Sequence, residues 1–142
     1  MEYNTRIART EDREQLRNLW RVSFGDSDEY IDLFMEQMCV PERTVVYEEL
    51  GNIVSAAFVV ELGKFVSSEE HPKPCRCVYA FSTSPDYRGW GIGASVIRAA
   101  AKLSNEGGCV GVICPAEYSL FGYYRRTAGY RDYFYSYESS GS

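Results

Sequence analysis

The stretch Val78-Tyr79-Ala80-Phe81-Ser82-Thr83-Ser84-Pro85-Asp86-Tyr87-Arg88-Gly89-Trp90-Gly91-Ile92-Gly93-Ala94 constrains this chain more than any other. A β-prone run enters a short loop, and glycines at alternate positions then open a helical pattern, which points to a sheet with helices packed on it. Glycines let the backbone approach closely and let successive N–H groups face one concavity. The start of the following helix adds unpaired N–H groups and a partial positive charge. Together these make a site for a phosphate or pyrophosphate, and Arg88 can add a charge-assisted contact to the same anion.

The remaining patterns surround this segment with alternating elements. Arg6-Ile7-Ala8-Arg9 reads as a first strand, and Thr10 as the cap of a helix with Leu16, Leu19, Trp20 and Phe24 on its apolar face, ending at Gly25. Asp26 or Ser27 caps a second helix with Ile31, Phe34, Met35 and Met38 on its stripe, and Pro41 closes it. Val45, Val46 and Tyr47 open a strand that turns at Gly51-Asn52 into a second one, Ile53 to Leu62. Gly63 to Pro74 is polar and reads as an exposed loop, followed by a strand from Cys75 to Ser84. After a helix marked by Ile92, Val96, Ala100 and Leu103, the apolar run Cys109 to Cys114 suits a strand buried on both faces. Tyr118 to Thr127 has a helical pattern and Tyr130 to Tyr137 is an aromatic strand. The expected fold class is α/β (α+β), a mixed sheet flanked by helices in the order β-α-α-β-β-β-α-β-α-β, as one domain over residues 1–142.

Composition narrows the function. The chain has 142 residues, 45% apolar and 25% charged, which excludes a disordered or collagen-like protein. Its net charge of −5 disfavours a nucleic-acid binder and is compatible with a cationic acceptor such as a polyamine, an aminoglycoside or a lysine side chain. No stretch approaches the ~20 apolar residues of a membrane span, and the first residues lack a secretory pattern, so a cytoplasmic protein with no membrane partner is expected. Five cysteines, an odd number spread through regular elements, argue for reduced thiols rather than a disulfide scaffold. Cys75-x-Cys77 lacks a second ligand pair and His71 is the only histidine, so no metal is expected.

Three anion-binding loops compete for the glycine segment. A P-loop needs Gly-Lys-Ser/Thr, which is missing. Gly89-x-Gly91-x-x-Ala94 matches a loose dinucleotide fingerprint, but that motif follows the first strand of a βαβ unit and needs an acidic residue ~20 positions on. Arg-x-x-Gly-x-Gly after a strand fits as Arg88, Gly91 and Gly93. With this loop and the element order, the chain resembles the GNAT superfamily of acyl-CoA-dependent N-acyltransferases, in their bacterial form, over nearly its whole length. The resemblance implies acetyl-CoA as cosubstrate, with its pyrophosphate on Arg88, Gly89, Trp90, Gly91, Ile92, Gly93 and Ala94. It also implies that a bulge before the loop presents the backbone of Phe81, Ser82 and Thr83 to the pantetheine arm. The strands Val78–Thr83 and Cys109–Cys114 would diverge to open a cleft for the thioester.

The activity so implied is transfer of an acetyl group to a primary amine of a small molecule or peptide. A neutral amine attacks the thioester carbonyl, a backbone N–H steadies the oxyanion, and the thiolate is protonated as it leaves. Within Leu120-Phe121-Gly122-Tyr123-Tyr124-Arg125-Arg126-Thr127-Ala128-Gly129-Tyr130, Tyr124 best matches the family's proton-donating tyrosine and Tyr123 comes second; both rings serving as packing is the alternative. Tyr124 stands five residues before Gly129, where the family more often has four. Many relatives carry a glutamate on the fourth strand, whereas Cys75 to Ser84 holds no carboxylate. Glu117, Glu61 or a water chain would then accept the amine's proton. Cys109 and Cys114 lack a paired histidine and read as inert.

The end of the chain departs from the family. The resemblance implies a closing strand hairpin, whereas the sequence stops soon after Tyr137. A homodimer in which a partner supplies the last strand is one reading, and a shortened member is another. Cys114-Pro115-Ala116-Glu117-Tyr118-Ser119-Leu120-Phe121 is similar to relatives with a second C-terminal domain, which would make this an N-terminal lobe. The missing strand carboxylate keeps a non-catalytic CoA-binding or sensory module on the same scaffold as the alternative function. An interaction domain that pairs through its aromatic last strand is a further one.

Overall fold

The computed structural model describes residues 4–65 and 73–113. Strand β1 (Thr5–Ile7) is followed by helices α1 (Arg13–Phe24) and α2 (Asp28–Gln37), then by strands β2 (Thr44–Glu49), β3 (Asn52–Phe65) and β4 (Lys73–Thr83). Helix α3 (Ile92–Ser104) leads to β5 (Val110–Ile113). The sheet order is β1-β2-β3-β4-β5; every pairing is antiparallel except β4 with β5, which is parallel. This mixed sheet with helices on both faces is the expected architecture through its fifth strand. The expected later helix and last strand lie outside the described residues. No helix among the described residues is long and apolar enough to cross a membrane.

Alternation along β3 builds two cores from one strand. Ala56, Phe58 and Val60 point into a layer with Leu16, Leu19 and Trp20 of α1 and Ile31, Phe34 and Met35 of α2. Ala57 and Val59 point the other way, against Val96, Ile97 and Ala100 of α3. The sheet is thus covered on both sides, as its near-continuous apolar run from Ile53 to Val60 requires.

Several boundaries differ from the sequence reading, each for a local reason. Thr10 does not cap α1; Thr10–Asp12 forms a 3-10 turn, and the helix starts at Arg13. The controlling residue is buried Asp12, whose carboxylate accepts the Arg9 amide at 2.7 Å and both terminal nitrogens of Arg6 at 2.8 and 3.1 Å. The first strand accordingly ends at Ile7 rather than Arg9. Ser27, of the two capping candidates, holds the Tyr30 amide at 3.2 Å. Phe24 and Met38 fall at helix ends and stay partly exposed, outside the core.

The expected loop from Gly63 to Pro74 is shorter than its polarity suggests. Pairs Gly63↔Cys75, Lys64↔Pro74 and Phe65↔Lys73 extend the β3–β4 ladder past a register shift at Glu61/Gly63. Strand β5 spans four residues, and Gly111, Val112 and Ile113 are half-buried rather than enclosed on both faces. A side chain at Gly111 would collide with Ser104, so a glycine there lets β5 run close under the end of α3.

Candidate active site

Two departures from regular structure meet at the end of β4. The first is a bulge. Ala56 pairs with Ser82 and Phe58 with Tyr79, so Ala80 and Phe81 together oppose Ala57. Ala80 takes φ +52, a left-handed value unusual for a residue with a Cβ. The extra residue turns Ala80 toward the α1–α2 core while Phe81 packs against the α3 core. Beyond it, buried Ser55 donates to the Ser82 carbonyl at 2.8 Å and meets the Thr83 hydroxyl at 2.9 Å, and the Ser84 amide bonds Val54 at 2.7 Å. The bulge is therefore pinned from the β3 side.

The second departure is the glycine loop. Pro85–Tyr87 forms a 3-10 turn, Gly89 and Gly91 take φ +84 and +79, and α3 begins at Ile92. No side chain caps α3 and no acidic residue stands in its first turn; its first backbone bond runs from the Ser95 amide to the Gly91 carbonyl at 3.2 Å. The amides of Ile92, Gly93 and Ala94 precede that bond, at the positive end of the helix. Nothing lies within 4 Å of where a Cβ on Gly89 or Gly91 would sit, so conformation rather than crowding calls for glycine there. Arg88 is exposed and reaches back through Nε to the Thr83 carbonyl at 3.1 Å, which places its guanidinium across the loop mouth. Trp90 is 74% exposed, with its indole 6.1 Å from the Tyr87 ring.

These features adjoin the β5-facing edge of β4. Strand β5 pairs with β4 from Cys75↔Val110 to Val78↔Ile113, where the described residues end. The expected divergence beyond that pair falls on residues outside the described ones. Phe81, Ser82 and Thr83 lie along this edge, Arg88, Gly89, Trp90 and Gly91 form the loop, and Ile92, Gly93 and Ala94 form the first helical turn. The Ile92 side chain is buried, so only its backbone faces the loop.

The proton-handling candidates fare differently. Glu61 pairs with Arg76 across β3 and β4, four residues before Ala80, with ion contacts of 3.8 Å to Arg76 and 4.0 Å to Arg43. At ~3.3 Å per residue that is about 13 Å from the bulge, too far to take a proton there. Tyr124, Tyr123, Glu117 and Cys114 lie outside the described residues. Burial pushes the thiols of Cys39 and Cys75 up, away from thiolate character. Two residues escaped the sequence reading: Ala80, the bulge itself, and Ser55, its anchor. Only the small-residue run Ser55-Ala56-Ala57 hinted at a close approach there.

A family model for the acetyltransferase (GNAT) domain matches residues 4–131. The chain belongs to the GNAT acetyltransferase family. Solved GNAT structures share its fold at low identity. Glucosamine-6-phosphate N-acetyltransferase from Arabidopsis thaliana superposes with a TM-score of 0.69 at 18% identity, covering 93% of each chain. An aminoglycoside 6'-N-acetyltransferase from Acinetobacter haemolyticus gives 0.66 at 15%, covering 92% of each. AAC(6')-Iy in complex with a CoA-containing bisubstrate analogue gives 0.70 at 14%, covering 93% of this chain and 92% of the other. No curated protein sequence matches this GNAT chain.

Proposed function

We propose that this GNAT domain is an N-acetyltransferase that moves an acetyl group from acetyl-CoA to a primary amine. The single observation that carries the reading is the uncapped start of α3, with left-handed Gly91, set directly beyond a pinned bulge in β4. Acetyl-CoA has a diphosphate and an extended amide-bearing arm ending in an acyl thioester. The amides of Ile92 to Ala94 and the Arg88 guanidinium would hold the diphosphate, and the backbone of Phe81, Ser82 and Thr83 would align the arm. A backbone N–H held in place by the bulge is suited to steady negative charge on the thioester oxygen, because it needs no reorganisation as that charge develops. Tyr124, with Tyr123 as second choice, is proposed to return a proton to the departing sulfur, and Glu117 to receive one from the amine.

The deciding experiment incubates the protein with acetyl-CoA and a panel of amines and follows free thiol. Thiol release that depends on both components supports the reading. CoA-induced thermal stabilisation without release by any amine would leave the CoA-binding module, which the lack of a carboxylate on β4 favours. Tyr124→Phe is expected to lower turnover at least tenfold while CoA affinity changes little; full turnover would remove Tyr124 from proton transfer.

A further inference from the structure

Immediately before the bulge, the α1–α2 face of the sheet carries a wall of rings. Trp20 lies 4.7 Å from Phe34, 5.4 Å from Phe58 and 6.0 Å from Tyr79, and Tyr30 meets its edge at 6.2 Å. Trp20, Phe34 and Phe58 are buried, whereas Tyr30 and Tyr79 remain 43% and 38% exposed. Their hydroxyls meet at 3.0 Å and tie α2 to β4. Asp26, in the connection between the helices, accepts the Trp20 indole N–H on Oδ2 at 2.8 Å and is itself exposed. One indole bond uses a fraction of what a carboxylate can accept.

The chemistry of this patch selects one kind of ligand. The hydrogen bond with Tyr30, then burial, then the electrostatic effects of Tyr30 and of nearby Asp26 push the Tyr79 phenol up to about 12, so that ring stays neutral. Neutral ring faces beside a carboxylate attract a cation and repel an anion. Tyr79 immediately precedes Ala80, so a charge held at its ring lies within about 10 Å of the bulge, a span equal to about three strand residues.

We propose that Asp26, Tyr30 and Tyr79 form a subsite for a second, protonated amine of the acceptor, so that the preferred acceptor is a di- or polyamine rather than a lone amine. One nitrogen is held as an ammonium against the carboxylate and the tyrosine rings; the other, neutral, is left to reach the bulge. The proposal rests on the acetyltransferase reading for its reaction, but the subsite itself is tested by binding.

Trp20 supplies the readout, since its indole bonds Asp26 and the only other tryptophan is Trp90. In a Trp90→Phe background, Trp20 emission is followed while 1,4-diaminobutane or butylamine is titrated. The diamine is expected to bind at least tenfold more tightly, Asp26→Asn to erase that margin, and Tyr30→Phe to reduce it severalfold. Asn keeps an oxygen for the indole, and thermal melting of each variant checks that it folds. Equal binding of the two amines, no diamine binding, or an undiminished margin in folded Asp26→Asn overturns the subsite. Loss of the acetyltransferase reading has a separate signature: CoA fails to raise the melting temperature of the unsubstituted protein.

Discussion

Asp12 shows how much one buried charge decides. Its hydrogen bonds from Arg6 hold its carboxyl below the ordinary value of 3.8. Because the folded value is the lower one, the stability it adds is complete above the ordinary value and is lost as pH falls through the folded one. Asp12→Asn is expected to cost about 2 kcal/mol at pH 7 by denaturant unfolding. The gap from the unsubstituted protein should close progressively in acid below 3.8. Ala80 carries the opposite kind of effect. A left-handed conformation costs an L-residue roughly 1–2 kcal/mol, and glycine avoids it while giving back about 0.4–1 kcal/mol of unfolded-state entropy. Ala80→Gly should therefore raise the melting temperature by about 2 °C, and Ala80→Val should lower it. Neither residue was legible beforehand. Asp12 reads as one acid in a helix's first turn until its partner, Arg6, is seen across the strand. Ala80 reads as an ordinary strand residue, because a bulge is a property of pairing rather than of composition.

Among the elements, those legible in sequence were the ones whose period or punctuation is local. Leu16, Leu19 and Trp20 mark α1, Gly25 ends it, and Gly89 and Gly91 mark the entry to α3. The limits of β3 and β4 were not legible, since Gly63 and Pro74 are turn residues by habit and only the facing strand reveals that they pair. Glu61 misled for the same reason: its role follows from lying opposite Arg76. For the start of α3, Arg88→Ala should weaken CoA binding about tenfold with the melting temperature of the free protein unchanged, and unchanged affinity would remove Arg88 from the anion site. Gly91→Val puts a β-branched side chain at φ +79, which strains the turn and fills the loop. CoA binding should be lost in titration calorimetry while circular dichroism stays native-like; normal binding would send the diphosphate elsewhere.

At the scale of the molecule, the two cores divide the work. In the proposed function the α1–α2 layer would present the acceptor side and the α3 layer the anion side, with β4 shared between the two cores. A ligand bound only by the native state should stabilise both: at a hundred times its dissociation constant CoA adds about 2.7 kcal/mol, or roughly 5–10 °C for a domain of this size. The parallel β4–β5 pairing has its own kinetic consequence. The β2–β3 hairpin closes through the two-residue turn Leu50-Gly51, which Gln15 clasps by donating to the Gly51 carbonyl and accepting the Ile53 amide. Strand β5 can join only after α3 has crossed the sheet, across more than thirty intervening positions, and distant partners are slow to meet. In pulse-labelling hydrogen exchange during refolding, amides of β2 and β3 should gain protection ahead of those in β5. The hairpin would then exist before the β4–β5 pairing does, and a ligand bound beside β4 would meet a site that is completed late.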